Sequence, residues 1–155
     1  MNPDYIPAEI RHIETLLAFM QDFYEHERLK LNEEAARCAL QQLLTDDSKG
    51  RVWLIEADGE MVGYTVLTFG FSLEFHGRDA FVDELFIVSE WRGRGIGRQT
   101  LGFLAAACRT LGIAALHLEV ERANTVAQEL YRSAGFVDHD RYLMTRWVSD
   151  KSNEE

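Results

Sequence analysis

The residues with the clearest capacity for chemistry lie in one stretch, Glu84-Leu85-Phe86-Ile87-Val88-Ser89-Glu90-Trp91-Arg92-Gly93-Arg94-Gly95-Ile96-Gly97-Arg98. An apolar run typical of a strand ends in a turn with three glycines, and a helical apolar period begins at once. The first N–H groups of a helix have no backbone partner, and with the helix dipole they make an anion site. Glycines remove the Cβ atoms that would hold a diphosphate away and permit positive φ. Arg92, Arg94 and Arg98 add positive charge in a chain of formal net charge -10. Two familiar phosphate motifs do not fit. A P-loop needs Gly-Lys, and the sequence has no such pair. A GxGxxG fingerprint begun at Gly93 or Gly95 meets Arg98 or Thr100 where its last glycine belongs. A tight turn with surface arginines is the plain alternative.

Just before this turn, Asp83 and Glu84 stand side by side in a strand otherwise built of Phe, Val, Leu and Ile. Two such acids are costly if buried without partners, so they mark either a site or a strand end in water. Strand alternation puts Asp83, Leu85 and Ile87 on one face and Glu84, Phe86 and Val88 on the other. Only one acid then enters a cleft, unless a bulge intervenes. Tyr131 shares a helical face with Ala127 and Ala134, which on spacing alone reads as a core aromatic. Glu119, near a strand end, is either a second acid of a site or solvated. Glu25, His26, Glu27, Glu33 and Glu34 gather at a helix junction. They are either an acidic rim for a cation or a solvated face.

Elements that would position these groups follow from periodicity. Ile13, Leu16, Leu17, Met20 and Tyr24 recur at helical spacing, predicting a helix over roughly Ala8 to Leu29. Asn32 caps a second, with Ala36, Leu40 and Leu43 as its buried stripe. Arg51–Ala57 and Met61–Phe71 read as strands around the turn Asp58-Gly59, with Gly63 marking a bulge or a close approach. Ala80–Val88 is a third strand, followed by a helix from about Gly95 to Leu111. Ala114–Val120 is a strand, and Thr125-x-x-Gln128 resembles a capping box for a last helix ending at Gly135. Phe136–His139 and Arg141–Val148 read as closing strands. Hairpins first and a strand-helix-strand crossover later predict a mixed sheet with helices on both faces.

Composition narrows the classes. The 155 residues suit one domain, with 46% apolar and 27% charged residues. The acidic balance argues against nucleic acid as a partner and favours a cationic small molecule or basic peptide. Cys38 and Cys108 form no metal or redox pattern with the five histidines and read as small core residues; no metal is expected. His12, His76, His117 and His139 show no partner pattern. No basic start, signal-like run or membrane-length apolar stretch occurs, so a cytoplasmic setting without membrane contact is the expectation.

The run Arg92-x-x-Gly95-x-Gly97 after a strand resembles the acetyl-CoA signature of the GNAT superfamily of N-acetyltransferases. Asn124, followed by Tyr131-Arg132-Ser133-Ala134-Gly135-Phe136, resembles that family's second signature. The order of elements is similar from about Ile13 to Val148. The resemblance implies an α/β fold whose mixed, mostly antiparallel sheet has about six or seven strands. It implies one acetyltransferase domain over 1–148, with 149–155 a polar tail and the first strand, within Met1–Pro7, short or absent. It also implies acetyl-CoA as co-substrate. Backbone groups of Leu85, Phe86, Ile87 and Val88 would meet the pantetheine, and the amides of Gly93, Arg94, Gly95, Ile96, Gly97 and Arg98 the diphosphate. Asn124 would lie beside the pantetheine, and Tyr131 near the thioester sulfur as proton donor. The N–H of Phe86 or Ile87 would steady the thioester oxygen. Glu84, with Asp83 second, would take the amine proton or bind the acceptor. Glu119 and Glu25 are further candidates toward the acceptor, and Glu119 a second proton relay. The segment Phe81 to Gly97 most resembles the diamine acetyltransferases, which carry an acidic pair at these positions. The implied acceptor is a small amine, with a peptide amine or a non-catalytic acyl-CoA binder as alternatives; a homodimer is possible.

Overall fold

The computed structural model describes residues 2–149. Its elements run β1 (Asp4–Pro7), α1 (Ile13–His26), α2 (Glu33–Thr45), β2 (Gly50–Ala57), β3 (Glu60–Ser72), β4 (Gly77–Ile87), α3 (Ile96–Thr110), β5 (Ala115–His117) and α4 (Thr125–Ser133). The strands form one sheet in order β1-β2-β3-β4-β5. The first four are antiparallel and β5 joins β4 in parallel. This is the mixed α/β class expected, with five strands rather than six or seven.

Alternation along the strands sends two sets of side chains to two helical layers. Val52, Leu54, Tyr64, Val66 and Phe86 pack against Leu16, Leu17 and Met20 of α1 and Leu40 of α2. On the other face Trp53, Leu67 and Ala80 meet Leu104 and Cys108 of α3. Toward the start of α3, Ile55, Ala57 and Val62 enclose Ile96. That last contact fixes where α3 begins, and with it the turn before it.

β1 forms despite its short, weak sequence because it is tied from both sides. It pairs with Trp53 to Glu56 of β2. Tyr5 stacks on Phe103 with ring centroids 4.0 Å apart, and its hydroxyl meets Thr100 Oγ1 at 3.0 Å. α1 is shorter than its periodicity suggests, since residues 10–12 are a 3-10 turn. Asn32 caps α2 as read, accepting the Ala35 N–H at 3.1 Å. Cys108 is buried, but Cys38 is exposed, lying off the Ala36–Leu40–Leu43 stripe. Gly63 is a close approach: a Cβ there would collide with the carbonyl oxygen of Phe86. A bulge does lie beside it, where the register shifts between Ile55 and Glu56.

The closing strands expected over Phe136–His139 and Arg141–Val148 do not form, and Ala114–Val120 shrinks to Ala115–His117. A strand needs a paired edge, and β5 offers only three residues already bound to β4. The segment after α4 therefore runs without ladder partners. Its side chains stay in water, with Leu143 73%, Met144 89% and Val148 91% exposed. Arg141 anchors it to Glu74 at 2.5 Å. Residues 150–155 of the expected tail lie outside the described residues.

Candidate active site

β4 carries the site. Its pairing with β5 covers Asp79, Ala80 and Phe81 only. The paired end is closed by His117, whose Nε2 meets Asp79 Oδ2 at 3.1 Å beneath the rings of Phe75 and Phe81. His117 thus has a partner that sequence spacing did not disclose. Beyond Phe81 the two strands part, and β4 keeps a free edge up to the turn.

Not every backbone group of that edge faces the gap. Val88 N–H donates to Val62 O at 2.9 Å, toward β3. Alternation turns Phe86 and Glu84 to β3 too, opposite Tyr64 and Val66, so Leu85 and Ile87 face the opening. Of the four residues Leu85, Phe86, Ile87 and Val88, only two can offer backbone bonds there. The Ile87 carbonyl is already taken by Arg92 Nε at 2.7 Å, which leaves its N–H and both groups of Leu85.

The turn follows. Gly93 and Gly95 take φ of 73° and 83°, a left-handed conformation that strains any residue with a Cβ. Gly95 caps α3 without a side chain over the opening. Among the described residues no protein acceptor meets the amides of Gly93, Arg94, Gly95, Ile96, Gly97 or Arg98. The arginines point elsewhere. Arg92 folds back over the Phe86 ring, and Arg94 lies over Trp91 at 4.5 Å. Arg98 donates to Ser133 Oγ at 2.6 Å, tying the start of α3 to the end of α4.

α4 places the second group. Asn124 is its cap, its Oδ1 accepting the Ala127 N–H at 3.1 Å. Thr125 is not the cap, and Gln128 instead donates to the carbonyls of Glu121 and Arg122 at 2.9 and 2.8 Å. The helix ends with Gly135 N–H on Arg132 O and Phe136 N–H on Tyr131 O, a Schellman closure. Tyr131 is half-buried, and its hydroxyl has no hydrogen bond among the described residues. Burial raises its pKa, and the Glu27 charge at the end of α1 adds to this. A cleft of about 710 Å³ between β5, α4 and the following chain is lined by both Tyr131 and Glu119. Glu119 is exposed beyond the end of β5. Glu25 is exposed on the last turn of α1, and Glu27 is the acid of that junction that acts on Tyr131.

The acids are arranged by a bulge. Val66 pairs with Glu84 but Leu67 with Val82, so Asp83 is an extra residue in β4. Ala80 and Val82 therefore face α3, while Glu84 and Phe86 turn to α1. Without the bulge, Val82 and Glu84 would share a face. Glu84 accepts a hydroxyl on each oxygen, Tyr24 on Oε2 and Tyr64 on Oε1, the latter at 2.8 Å. Desolvation raises its carboxyl, the two hydroxyls pull it back, and Asp83 pushes it up again. Asp83 is exposed at its surface, yet crowded enough that desolvation raises it. Burial raises Tyr24 and Tyr64, the Glu84 charge adds to this and the Asp83 charge adds least, so both acids act on one cluster. Tyr24 and Tyr64 escaped the sequence reading. Their signal was a polar tip on an apolar face, which must find a partner when buried.

These features have counterparts in known proteins. The family described as "Acetyltransferase (GNAT) family" matches residues 13–136. An uncharacterized N-acetyltransferase YycN of Bacillus subtilis (strain 168) is 26% identical over 145 residues, 86% of this chain and 92% of its own. Thialysine N-epsilon-acetyltransferase of Bos taurus is 27% identical over 139 residues, 79% of this chain and 77% of its own. The crystal structure of an integron cassette protein, HFX_CASS3, from the mobile metagenome of Cole Harbour Salt Marsh superposes with a TM-score of 0.83. It is 34% identical and covers 94% of this chain and 90% of its own. The family match spans most of the chain and includes both the glycine turn and the Tyr131 helix, so the protein belongs to the GNAT acetyltransferase family and is an N-acetyltransferase.

Proposed function

We propose that the protein moves the acetyl group of acetyl-CoA to the primary amine of a small cationic molecule by direct attack. The observation that carries this reading is the open edge of β4, running from Phe81 into a turn whose amides have no acceptor among the described residues. Leu85 and Ile87 pair with the pantetheine amides, and the amides of Gly93 to Arg98 hold the diphosphate. Asn124 is occupied through Oδ1 as a cap, so its NH₂ is the part that reaches the pantetheine.

An alkylamine of pKa ~10.4 must lose a proton before it attacks, at a cost of roughly 4–5 kcal/mol at pH 7. Glu84 receives that proton, its basicity increased by burial. The Ile87 N–H steadies the thioester oxygen as charge develops there. Tyr131 donates the proton that the leaving thiolate needs, a role suited to a hydroxyl without another partner. The acceptor is read as a small cation because the chain carries net charge -10 and sets Asp83 in the surface beside Glu84. The Bos taurus relative, named for acetylating thialysine at its ε nitrogen, supports an amine of that kind.

The test is free-thiol release from acetyl-CoA with a panel of diamines, lysine analogues, aminoglycosides and short peptides. Turnover is expected with a small amine, and Tyr131→Phe should cut kcat about tenfold or more without changing acetyl-CoA affinity. Turnover confined to peptides would remove the small-amine assignment, and unaltered kcat in the variant would remove Tyr131 as donor.

A further inference from the structure

Both oxygens of Glu84, itself half-buried, are already held by tyrosine hydroxyls. One oxygen is held by Tyr64, which is 1% exposed and sealed between β3 and α1. The other is held by Tyr24, on the last full turn of α1, half-buried and bordered by the α1–α2 junction. Phe23 packs against both tyrosines and against Phe86, the last with ring centroids 5.5 Å apart. Of the two hydroxyls on the carboxylate, only that of Tyr24 belongs to a residue with surface that an amine from solvent can meet. Tyr24 is also fixed in place, since its carbonyl accepts the Leu29 N–H at 2.7 Å where the chain leaves α1.

We propose that Tyr24 is the proton relay of this enzyme, standing between the acceptor ammonium and Glu84, and that Glu84 does not touch the acceptor directly. The proposal rests on the acetyl-transfer reading above. The step balances as two concerted transfers. The ammonium N–H bond breaks as an O–H bond forms on Tyr24. The original Tyr24 O–H bond breaks as one forms on Glu84 Oε2. Tyr24 ends unchanged, Glu84 becomes a carboxylic acid, and the neutral amine is free to attack the thioester carbon. The two tyrosines thus differ in duty. Tyr64 orients the carboxylate from inside, and Tyr24 connects it to the outside.

The ionisable groups facing Glu84 are Asp83 on its own strand, Tyr24 from α1 and Tyr64 from β3. Because Asp83 is the other acid within reach, the experiment includes it. Acetyl-CoA turnover is measured across pH 6 to 10 for wild type, Tyr24→Phe, Glu84→Gln, Asp83→Asn and the Tyr24→Phe/Glu84→Gln pair, with the best amine of the panel. The relay predicts a kcat loss of about 10²-fold for Tyr24→Phe at pH 7, shrinking as pH nears the amine's own pKa. It also predicts a pair no worse than Glu84→Gln alone, since the two act as a unit. A proton inventory on wild type in mixed H₂O and D₂O needs no variant, and two protons in flight give a curved plot. Tyr24→Phe with wild-type kcat and pH profile, or a linear inventory, overturns the relay while leaving acetyl transfer standing. Loss of activity in Asp83→Asn with none in Tyr24→Phe moves the base to Asp83 and also overturns it. Wild type inactive toward every amine sinks the underlying reading instead.

Discussion

The glycine turn and the carboxylate pocket sit at the same end of β4, yet they are built in opposite ways. The turn is made of backbone from consecutive residues, has no side-chain cap, and leaves its donors without an acceptor among the described residues. The pocket is made of side chains from α1, β3 and β4, is largely closed, and satisfies both oxygens of its acid. One is a local device that waits for a ligand to complete it. The other is a non-local device that is already complete, so under the proposed relay a proton enters it through a protein partner. A binding feature can be left open because water fills it at little cost. A buried carboxylate cannot, because an unpartnered charge there would cost several kcal/mol.

If the pocket is complete for the sake of proton transfer, removing its charge should be the most damaging change in the protein. Glu84→Gln keeps the volume and one acceptor oxygen but cannot take a proton. A kcat loss of about 10³-fold at pH 7 is expected, with acetyl-CoA affinity retained. A rate within threefold of wild type would mean that the pocket is structural and that the two regions do not differ in the way described.

The turn can be tested with a change that the protein itself welcomes. Gly97 has ordinary helical φ in the first turn of α3, and a Cβ there would touch only Leu130 Cδ2 at 3.6 Å, a normal contact. Gly97→Ala should therefore leave the fold intact or stabilise it by about 0.5–1 kcal/mol through lost chain entropy. The same methyl intrudes where the diphosphate is read to lie, so CoA affinity should fall about tenfold or more, measured by calorimetry. Stability and affinity moving in opposite directions would sharpen the contrast between a turn built for itself and one built for a ligand. Unchanged affinity would remove the diphosphate from Gly97.

The contrast also explains what could be read in advance. Local devices were legible: the glycine turn, the Asn32 cap, the Gly135 closure and the Tyr131 helix each follow from neighbours in sequence. The Tyr24–Glu84–Tyr64 cluster was not, because nothing within one element announces that positions 24, 64 and 84 meet. The bulge at Asp83 was open as a possibility but not predictable, since the two acids carry no backbone signature for it. The reverse error occurred after α4. Phe136–His139 and Arg141–Val148 hold aromatic and β-branched residues as strands do, but composition cannot supply the edge a strand must pair with.

Asn124 tests the border between the two kinds of device, because it combines a local cap with a proposed contact to the pantetheine. Asn124→Ala removes the acceptor of the Ala127 N–H and should cost about 1 kcal/mol of stability by thermal or denaturant unfolding. Asn124→Asp keeps that acceptor and adds a charge suited to a helix start, so it should restore the stability. If only the cap matters, Asp also restores acetyl-CoA affinity; if the NH₂ meets the pantetheine, it does not.

The smallest expected effect is one of slope. Burial raises the Glu84 carboxyl above its unfolded value of about 4.3, so between the two values the native state holds more protons than the unfolded chain. Stability from this group is therefore greatest in acid and falls as pH rises through that window, and the cost is fully present at neutrality. Glu84→Gln has no such group. The difference in unfolding free energy, variant minus wild type, should grow from pH 4 to pH 7 whatever its sign at either end. Any constant part of the difference comes from the new amide replacing one acceptor of Tyr24 or Tyr64, and it does not vary with pH. A flat difference would show that the two tyrosine hydroxyls fully compensate the burial. The pocket would then hold its charge at no cost, and the reason given for its closed construction would fail.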